Sequence, residues 1–199
     1  IGYSRTAANT SVFNNGGAPN TSCNYANTFN GTSSAAPVTA GAIALILEAN
    51  PVLTWRDVKH ILASTARQID AGRAAVNVAL SNGSYVAEPA WTTNAASFRF
   101  HNWYGFGMVD ASAAVNMARN SYALLGAFAN TFVSSPAISV AIPDNSVTGA
   151  SHTLVVPGAP VSVVEAVQIS VTATHTYTGD LGIELTSPSF AQRNTLPCA

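Results

Sequence analysis

The sequence predicts two domains, a helical portion followed by a strand-built one, divided between about residues 125 and 137. Three observations carry this expectation. The run AIALIL, Ala42 to Leu47, follows a stretch of small residues and has apolar side chains all round a helical axis. LTWRDVKHILASTA, from Leu53, has the period of an amphipathic helix. Beyond residue 160 the period drops to two: Val167, Ile169, Val171 and Ala173 alternate with polar neighbours, as do Leu181, Ile183 and Leu185.

Composition narrows the class. The chain has 199 residues, 48% hydrophobic and 9% charged, with eight Lys and Arg against nine Asp and Glu and a net charge of −1. A typical soluble domain has roughly 25% charged residues, so Asn, Ser and Thr must supply most of this polar surface. Such a balance gives no electrostatic attraction to nucleic acid or acidic lipid. The apolar stretch Ala35–Leu47 is broken by Thr39 and is shorter than the roughly 18 residues of a membrane span, so no span is expected. The first residue is Ile1, and no basic start leads into an apolar signal core, so a targeting segment is expected outside this sequence. Cys23 and Cys198 are too few to define a disulfide framework. Sequons at Asn9, Asn20, Asn30 and Asn82 matter only to a chain made in a eukaryotic secretory cell.

Residues 1–30, rich in Gly, Asn, Ser and Thr, read as loop with at most one short strand. A helix is expected from about Ser34 to Ala49, buried on most sides and stopped by Asn50-Pro51, with asparagine in a left-handed cap. The second helix, Trp55 to about Ala66, has Thr54 and Asp57 at capping-box spacing and Leu53 and Val58 at staple spacing. Its Val58, Ile61, Leu62 and Thr65 face the core, with Arg56, Lys59 and His60 directed away. Residues 70–104 lack a clear period and read mostly as loop. In YGFGMVDASAAVNMARN, Asp110 is the expected cap of a third helix reaching about Asn120. The alternating segments around HTYTGD read as a hairpin.

The chemistry concentrates in NGTSSAAPVTAG, Asn30 to Gly41. A serine hydroxyl becomes a useful nucleophile when a base takes its proton and donors receive the oxyanion. With Ser33 at the cap of a buried helix, its own N–H is one of the orphan donors. Gly31 lets backbone pass close to substrate, Ala35 and Ala36 keep the first turn narrow, and Pro37 is expected where a missing N–H costs nothing. A plain capping role for Ser33 is the competing reading.

The run Gly31-Thr32-Ser33-Ser34-Ala35-Ala36-Pro37 resembles the Gly-Thr-Ser-X-Ala-X-Pro signature around the nucleophile of subtilisin-like serine proteases. LILEANPVLTWRDVKHIL and YGFGMVDASAAV resemble later parts of the kexin and furin catalytic domain. IPDN at 142–145 and VQISVTATHTYTGDLGIELTSPS at 167–189 resemble the opening of their P domain, a β-sandwich. The resemblance implies an α/β subtilisin-like catalytic domain, of which residues 1–130 are the C-terminal part. Residues 131–199 would then begin an all-β sandwich P domain and leave it incomplete, with little stability of its own. It further implies a secreted or extracytoplasmic serine endopeptidase acting on protein or peptide substrates, with preference for basic P1 residues. Ser33 would be the catalytic nucleophile, with Gly31, Thr32 and the Ser33 N–H at the substrate and oxyanion site.

In this family the acid and base precede the serine by more than the 32 residues present, so the triad Asp and His, the oxyanion Asn and the substrate-recognising acids are expected upstream. The chain alone is expected to be inactive, completed by the missing N-terminal part of the catalytic domain. His60, His101, His152 and His175 all follow Ser33 and are assigned surface or structural roles. Asp57 and Asp110 are assigned to helix starts and Asp180 to a turn. A Ser33, Asp110, His152 arrangement is disfavoured because no Gly-X-Ser-X-Gly elbow is present. Calcium is implied for the full-length parent, but no run of alternating carboxylates builds a site here, so metal ligands and cofactors in this chain are set at none. The resemblance implies an upstream disulfide partner for Cys23, with a free buried thiol as the alternative, and offers no counterpart for Cys198. A non-catalytic binding or assembly module, in which Ser33 only caps a helix, is the alternative function.

Overall fold

The computed structural model describes residues 30–157, 164–186 and 193–197, the last stretch as backbone. The expectations for residues 1–29, Cys23, Cys198 and the sequons at Asn9 and Asn20 lie outside the described residues. The described residues form two compact units: those up to Thr65 with Val109–Leu124, and Ala66–Met108 with those from Leu125 onward.

The first unit consists of α1 (Thr32–Ala49), α2 (Trp55–Thr65) and α3 (Ala111–Asn120). Each end of α2 follows from its sequence. The Thr54 N–H and hydroxyl both donate to Asp57 Oδ2, at 2.7 and 2.6 Å, and the Asp57 N–H donates back to Thr54 Oγ1 at 3.3 Å. That is a capping box, with a carboxylate at the positive end of the helix dipole. Leu53 and Val58 are both buried in the same core, as staple partners must be. At α3 the Asp110 carboxylate accepts the Ala113 N–H at 2.9 Å, so the expected cap is present.

The core gathers Ile46 of α1, Leu53, Val58 and Ile61 around α2, and Ala114 and Ala118 of α3. Alanines four apart on α3 form a shallow strip that lets the larger Ile46 and Ile61 approach closely. Asp57 is also fully buried; its Oδ1 accepts the Tyr122 hydroxyl at 3.1 Å, which compensates for the buried charge.

Three expectations for α1 are corrected. The helix begins at Thr32 rather than Ser34. It is not buried on most sides: only Ala42 and Ile46 are, and Val38 and Leu45 stand 68% and 53% exposed. An apolar surround is therefore present in the sequence without an equal surround of partners among the described residues. Asn50 ends the helix in an extended conformation, φ −151°, instead of a left-handed cap. Its side chain explains this, because Nδ2 donates to the Ala118 carbonyl at 3.0 Å and holds the residue against the end of α3.

The second unit contains β1 (Val76–Leu80), β2 (Gly83–Glu88), β3 (Thr92–Thr93), β4 (Arg99–Phe100), β5 (Gly182–Thr186) and β6 (Arg193–Pro197). They form three antiparallel pairs, β1 with β2, β3 with β4 and β5 with β6. Residues 70–104, expected mostly as loop, thus contain two hairpins. Asn82-Gly83 between two β-rich runs was the available signal. The second correction concerns the hairpin around HTYTGD. Residues 181–185 do enter a strand, but β5 pairs with β6, and 167–174 is extended chain outside any ladder. Val167 and Val171 are exposed there, because alternation states which faces a strand would offer and not whether an edge is free to receive it.

Tertiary order in this unit comes from turns and rings. Arg67 and Met108 exchange backbone hydrogen bonds of 2.9 and 2.8 Å. Gly107 sits at φ 125° beside them, and a Cβ there would collide with the Arg67 carbonyl. His101 and Gly105 close a tight bridge, and the His101 ring, 1% exposed, lies among Trp91, Trp103 and Tyr104.

Candidate functional site

The candidate site is the N-terminal turn of α1. Gly31 is the N-cap, at φ 80° and ψ −171°, and as a glycine it offers no side-chain cap. Thr32 and Ser33 are the first and second helical residues, so the expected cap position of Ser33 is corrected by two places. The difference has a chemical meaning. A serine at the cap spends its oxygen on a backbone N–H, whereas Ser33, inside the first turn and exposed, is not in that position.

The Gly31 carbonyl accepts from both Ser34 N–H and Ala35 N–H, each at 3.1 Å. The N–H groups of Thr32 and Ser33 precede the first helical bond and have no acceptor within the helix. They are the donors on which the dipole of an 18-residue helix concentrates positive potential. At Gly31 a Cβ would meet nothing within 4 Å, yet its positive φ disfavours any side chain, so glycine is needed here for conformation.

Pro37 also departs from expectation. With the helix starting at Thr32 it is the sixth helical residue, beyond the turn where a missing N–H is free. The helical acceptor it would have served is the Ser33 carbonyl, four residues earlier, and the proline ring crowds that same carbonyl. The motif thus disturbs the helix ladder at the residue carrying the hydroxyl. Two residues on, Thr39 Oγ1 donates to the Ala35 carbonyl at 3.0 Å.

The remaining sequence candidates are placed as follows. His60, half-buried on α2, packs its ring 5.7 Å from Tyr122. His101 accepts the Trp103 N–H on Nδ1 at 3.1 Å, which places the ring proton of the neutral form on Nε2. His152 is exposed, and His175 accepts the Tyr177 N–H at 3.1 Å. Asp180 closes a single 3-10 turn, Thr178–Asp180. Asp110 is engaged as the α3 cap.

Sequence reasoning missed a polar and aromatic group in the second unit. Tyr104 donates to Asp70 Oδ2 at 2.8 Å, Trp91 Nε1 donates to the Asp70 carbonyl at 3.2 Å, and the Arg73 guanidinium lies 4.1 Å from the Trp103 ring centre. The hydrogen bond to Asp70 raises the Tyr104 pKa above its ordinary 10.0; desolvation and the Asp70 charge add to this, and Arg73 opposes it. Among the described residues no three of His, Cys, Asp and Glu converge to hold a metal ion. α1 is also long and apolar enough to cross a membrane by length and composition, a property shared by core helices of soluble proteins.

Comparison with known proteins bears on this geometry. The family model of the subtilases matches residues 2–107, which include the whole candidate site, and that of the proprotein convertase P-domain matches 164–194. The chain is 34% identical to the Aeromonas extracellular serine protease of Aeromonas sobria over 199 residues, covering 95% of this chain and 31% of the relative. It is 39% identical to human proprotein convertase subtilisin/kexin type 5 over 162 residues, covering 80% of this chain and 8% of that protein. The crystal structure of the Aeromonas sobria serine protease aligns at TM-score 0.49 and 37% identity, over 54% of this chain and 19% of that one. The chain therefore spans less than a third of the length of these relatives. With the catalytic-domain match over more than half of its length and the P-domain match behind it, the chain belongs to the subtilase family, in the kexin/furin-like branch.

Proposed function

We propose that this chain supplies the nucleophile of a serine endopeptidase, with Ser33 attacking the scissile carbonyl of a protein or peptide substrate. The observation that carries the reading is the position of Ser33 inside the first turn of α1, with Gly31 capping the helix. A base takes the Ser33 proton as Oγ adds to the carbonyl carbon, and the developing oxyanion is received by N–H donors at the start of α1, that of Ser33 among them. Collapse expels the amine and leaves an acyl group on Ser33, which water then removes. Gly31 and Thr32 form the backbone wall beside which the substrate passes.

The base and its orienting acid, the oxyanion Asn and the S1 pocket are assigned to sequence upstream of Ile1 in the full-length parent. The relatives' greater length supports this assignment. Preference for basic P1 residues is proposed from the likeness to subtilisin/kexin type 5, and a secreted location from the relative named extracellular. Residues 1–130 are proposed as catalytic-domain sequence and 131–199 as the beginning of the P domain, a division that falls between the two matched regions. Calcium is proposed for the full-length parent from the likeness to the kexin/furin-like branch. No membrane span is proposed, because α1 carries the nucleophile motif.

Labelling the full-length parent with an organophosphonate and mapping the adduct tests the assignment. The adduct is expected on Ser33, and the isolated chain is expected to remain unlabelled. An adduct on a peptide lacking Ser33 rejects the nucleophile, and a parent that binds peptides but never labels favours a binding module. Ser33→Ala in the parent is expected to lower kcat by roughly a million-fold, the scale of losing a triad serine.

A further inference from the structure

The two-residue turn between β1 and β2, Ser81-Asn82, is fastened to the turn at 145–148 by a compact set of polar contacts. Asn82 Nδ2 donates to Ser146 Oγ at 2.9 Å and to Thr148 Oγ1 at 3.3 Å, and Asn82 Oδ1 accepts the Val147 N–H at 2.9 Å. Ser81 N–H and Oγ both donate to Asn145. The Asn82 amide thus uses both of its donor hydrogens and its acceptor in one clasp. Nearly every member is solvent-exposed, and contacts of this kind open locally at low cost.

Asn82 is followed by Gly83, and this dipeptide carries its own chemistry. With no Cβ on the following residue, the Gly83 backbone nitrogen can reach the Asn82 side-chain carbon. We propose that Asn82-Gly83 is a spontaneous deamidation site that the clasp restrains, and that its reaction releases the 145–148 turn. The Gly83 nitrogen loses its proton and bonds to Asn82 Cγ, the Cγ–Nδ2 bond breaks, and ammonia leaves a five-membered succinimide. Water then adds to either ring carbonyl, giving aspartate or isoaspartate. Both products lack Nδ2, which is the one donor group of the side chain. The isoaspartate also inserts a methylene into the main chain of a two-residue hairpin turn, where loop length fixes strand register.

Three features hold the reaction back in the folded chain. Oδ1 is engaged by Val147 N–H and Nδ2 by two hydroxyls, which keeps the amide from rotating toward Gly83. Gly83 is paired with Leu80 at the start of the ladder. Val147 also lies against Gly83, with its Cγ2 3.3 Å from where a Cβ would be. Reaction therefore proceeds through the opened clasp.

The inference is independent of Ser33. Its test incubates the full chain carrying Ser33→Ala, which removes any proteolysis, at mildly alkaline pH beside a synthetic peptide spanning residues 79–85. Peptide mapping follows conversion of Asn82, and hydrogen exchange follows the Val147 amide. The folded chain is expected to convert about tenfold more slowly than the peptide, the effect of one to two net hydrogen bonds. A Ser146→Ala, Thr148→Val variant is expected to approach the peptide's rate, and converted protein to lose protection at Val147. Equal rates in the folded chain and the peptide, an unchanged rate in the variant, or a protected Val147 after conversion would each overturn the proposal.

Discussion

In the helical unit Ile46, Leu53, Val58, Ile61, Ala114 and Ala118 bury one another, whereas in the strand unit the one fully buried side chain among the described residues is His101. The first is held by apolar area removed from water. The second is held by backbone bridges at Arg67–Met108 and His101–Gly105, stacked rings and the Asn82 clasp. Large apolar residues there remain in water, Phe132 at 88% and Val155 at 76% exposed. Burial of apolar surface dominates folding free energy, so the two units should respond very differently to the same kind of substitution.

The comparison breaks most visibly at Ile61, which is fully buried in the helical core. Ile61→Ala is expected to cost about 2–5 kcal/mol, while Val78→Ala on exposed β1 should stay within about 0.5 kcal/mol. Urea unfolding followed by circular dichroism reads both, and similar losses at the two sites would erase the distinction. A smaller effect is expected at Tyr122, whose hydroxyl serves the buried Asp57 carboxylate. Tyr122→Phe should cost about 1–3 kcal/mol, more than a conservative change at a surface phenol, because it strips a donor from a buried charge. An unaltered midpoint would show that the other partners of Asp57 satisfy it without Tyr122.

The least effect sharpens the other side. Tyr104 has its pKa raised above 10.0 by its bond to Asp70, so the folded state favours the neutral phenol. The associated stabilisation is fully present below pH 10 and is lost as pH rises through the folded pKa. Thermal melts of the wild-type chain and Tyr104→Phe should therefore converge on moving from neutral pH to above pH 10. Parallel melting temperatures across that range would remove Tyr104 from the list of contacts that hold this unit.

The same contrast governs what could be read from the residues. Thr54, Asp57, Leu53 and Val58 lie within five positions of one another, and the helix start they specify is found at the expected place. Asp110 and α3 are equally local. In α1 the stop at Asn50 was legible, but its mechanism was not, because the bond to Ala118 spans 68 positions. Strand pairing depends on such remote choices. Nothing near residues 167–174 says that 182–186 will pair with 193–197 instead. The β1–β2 hairpin is different, since Asn82-Gly83 is a local signal for it. At the candidate site the residue types in the motif were legible. The start of α1 at Thr32 was not, and that start moves Ser33 off the cap and Pro37 out of the first turn.

The bond from Asn50 to Ala118 has a mechanical consequence. Among the described residues, the contacts that hold α1 gather in its C-terminal half, at Ala42, Ile46 and Asn50, while Ser33 lies near its N-terminus. Ser33 and Asn50 are seventeen positions apart, about 25 Å at 1.5 Å per residue, so among the described residues the helix is a lever arm held toward its C-terminal end. A tilt of only about 2° would carry the hydroxyl roughly 1 Å, and for the nucleophile proposed at Ser33 such a displacement can cost about a hundredfold in rate. Whatever steadies the outer half of α1 thereby sets where the Ser33 hydroxyl lies.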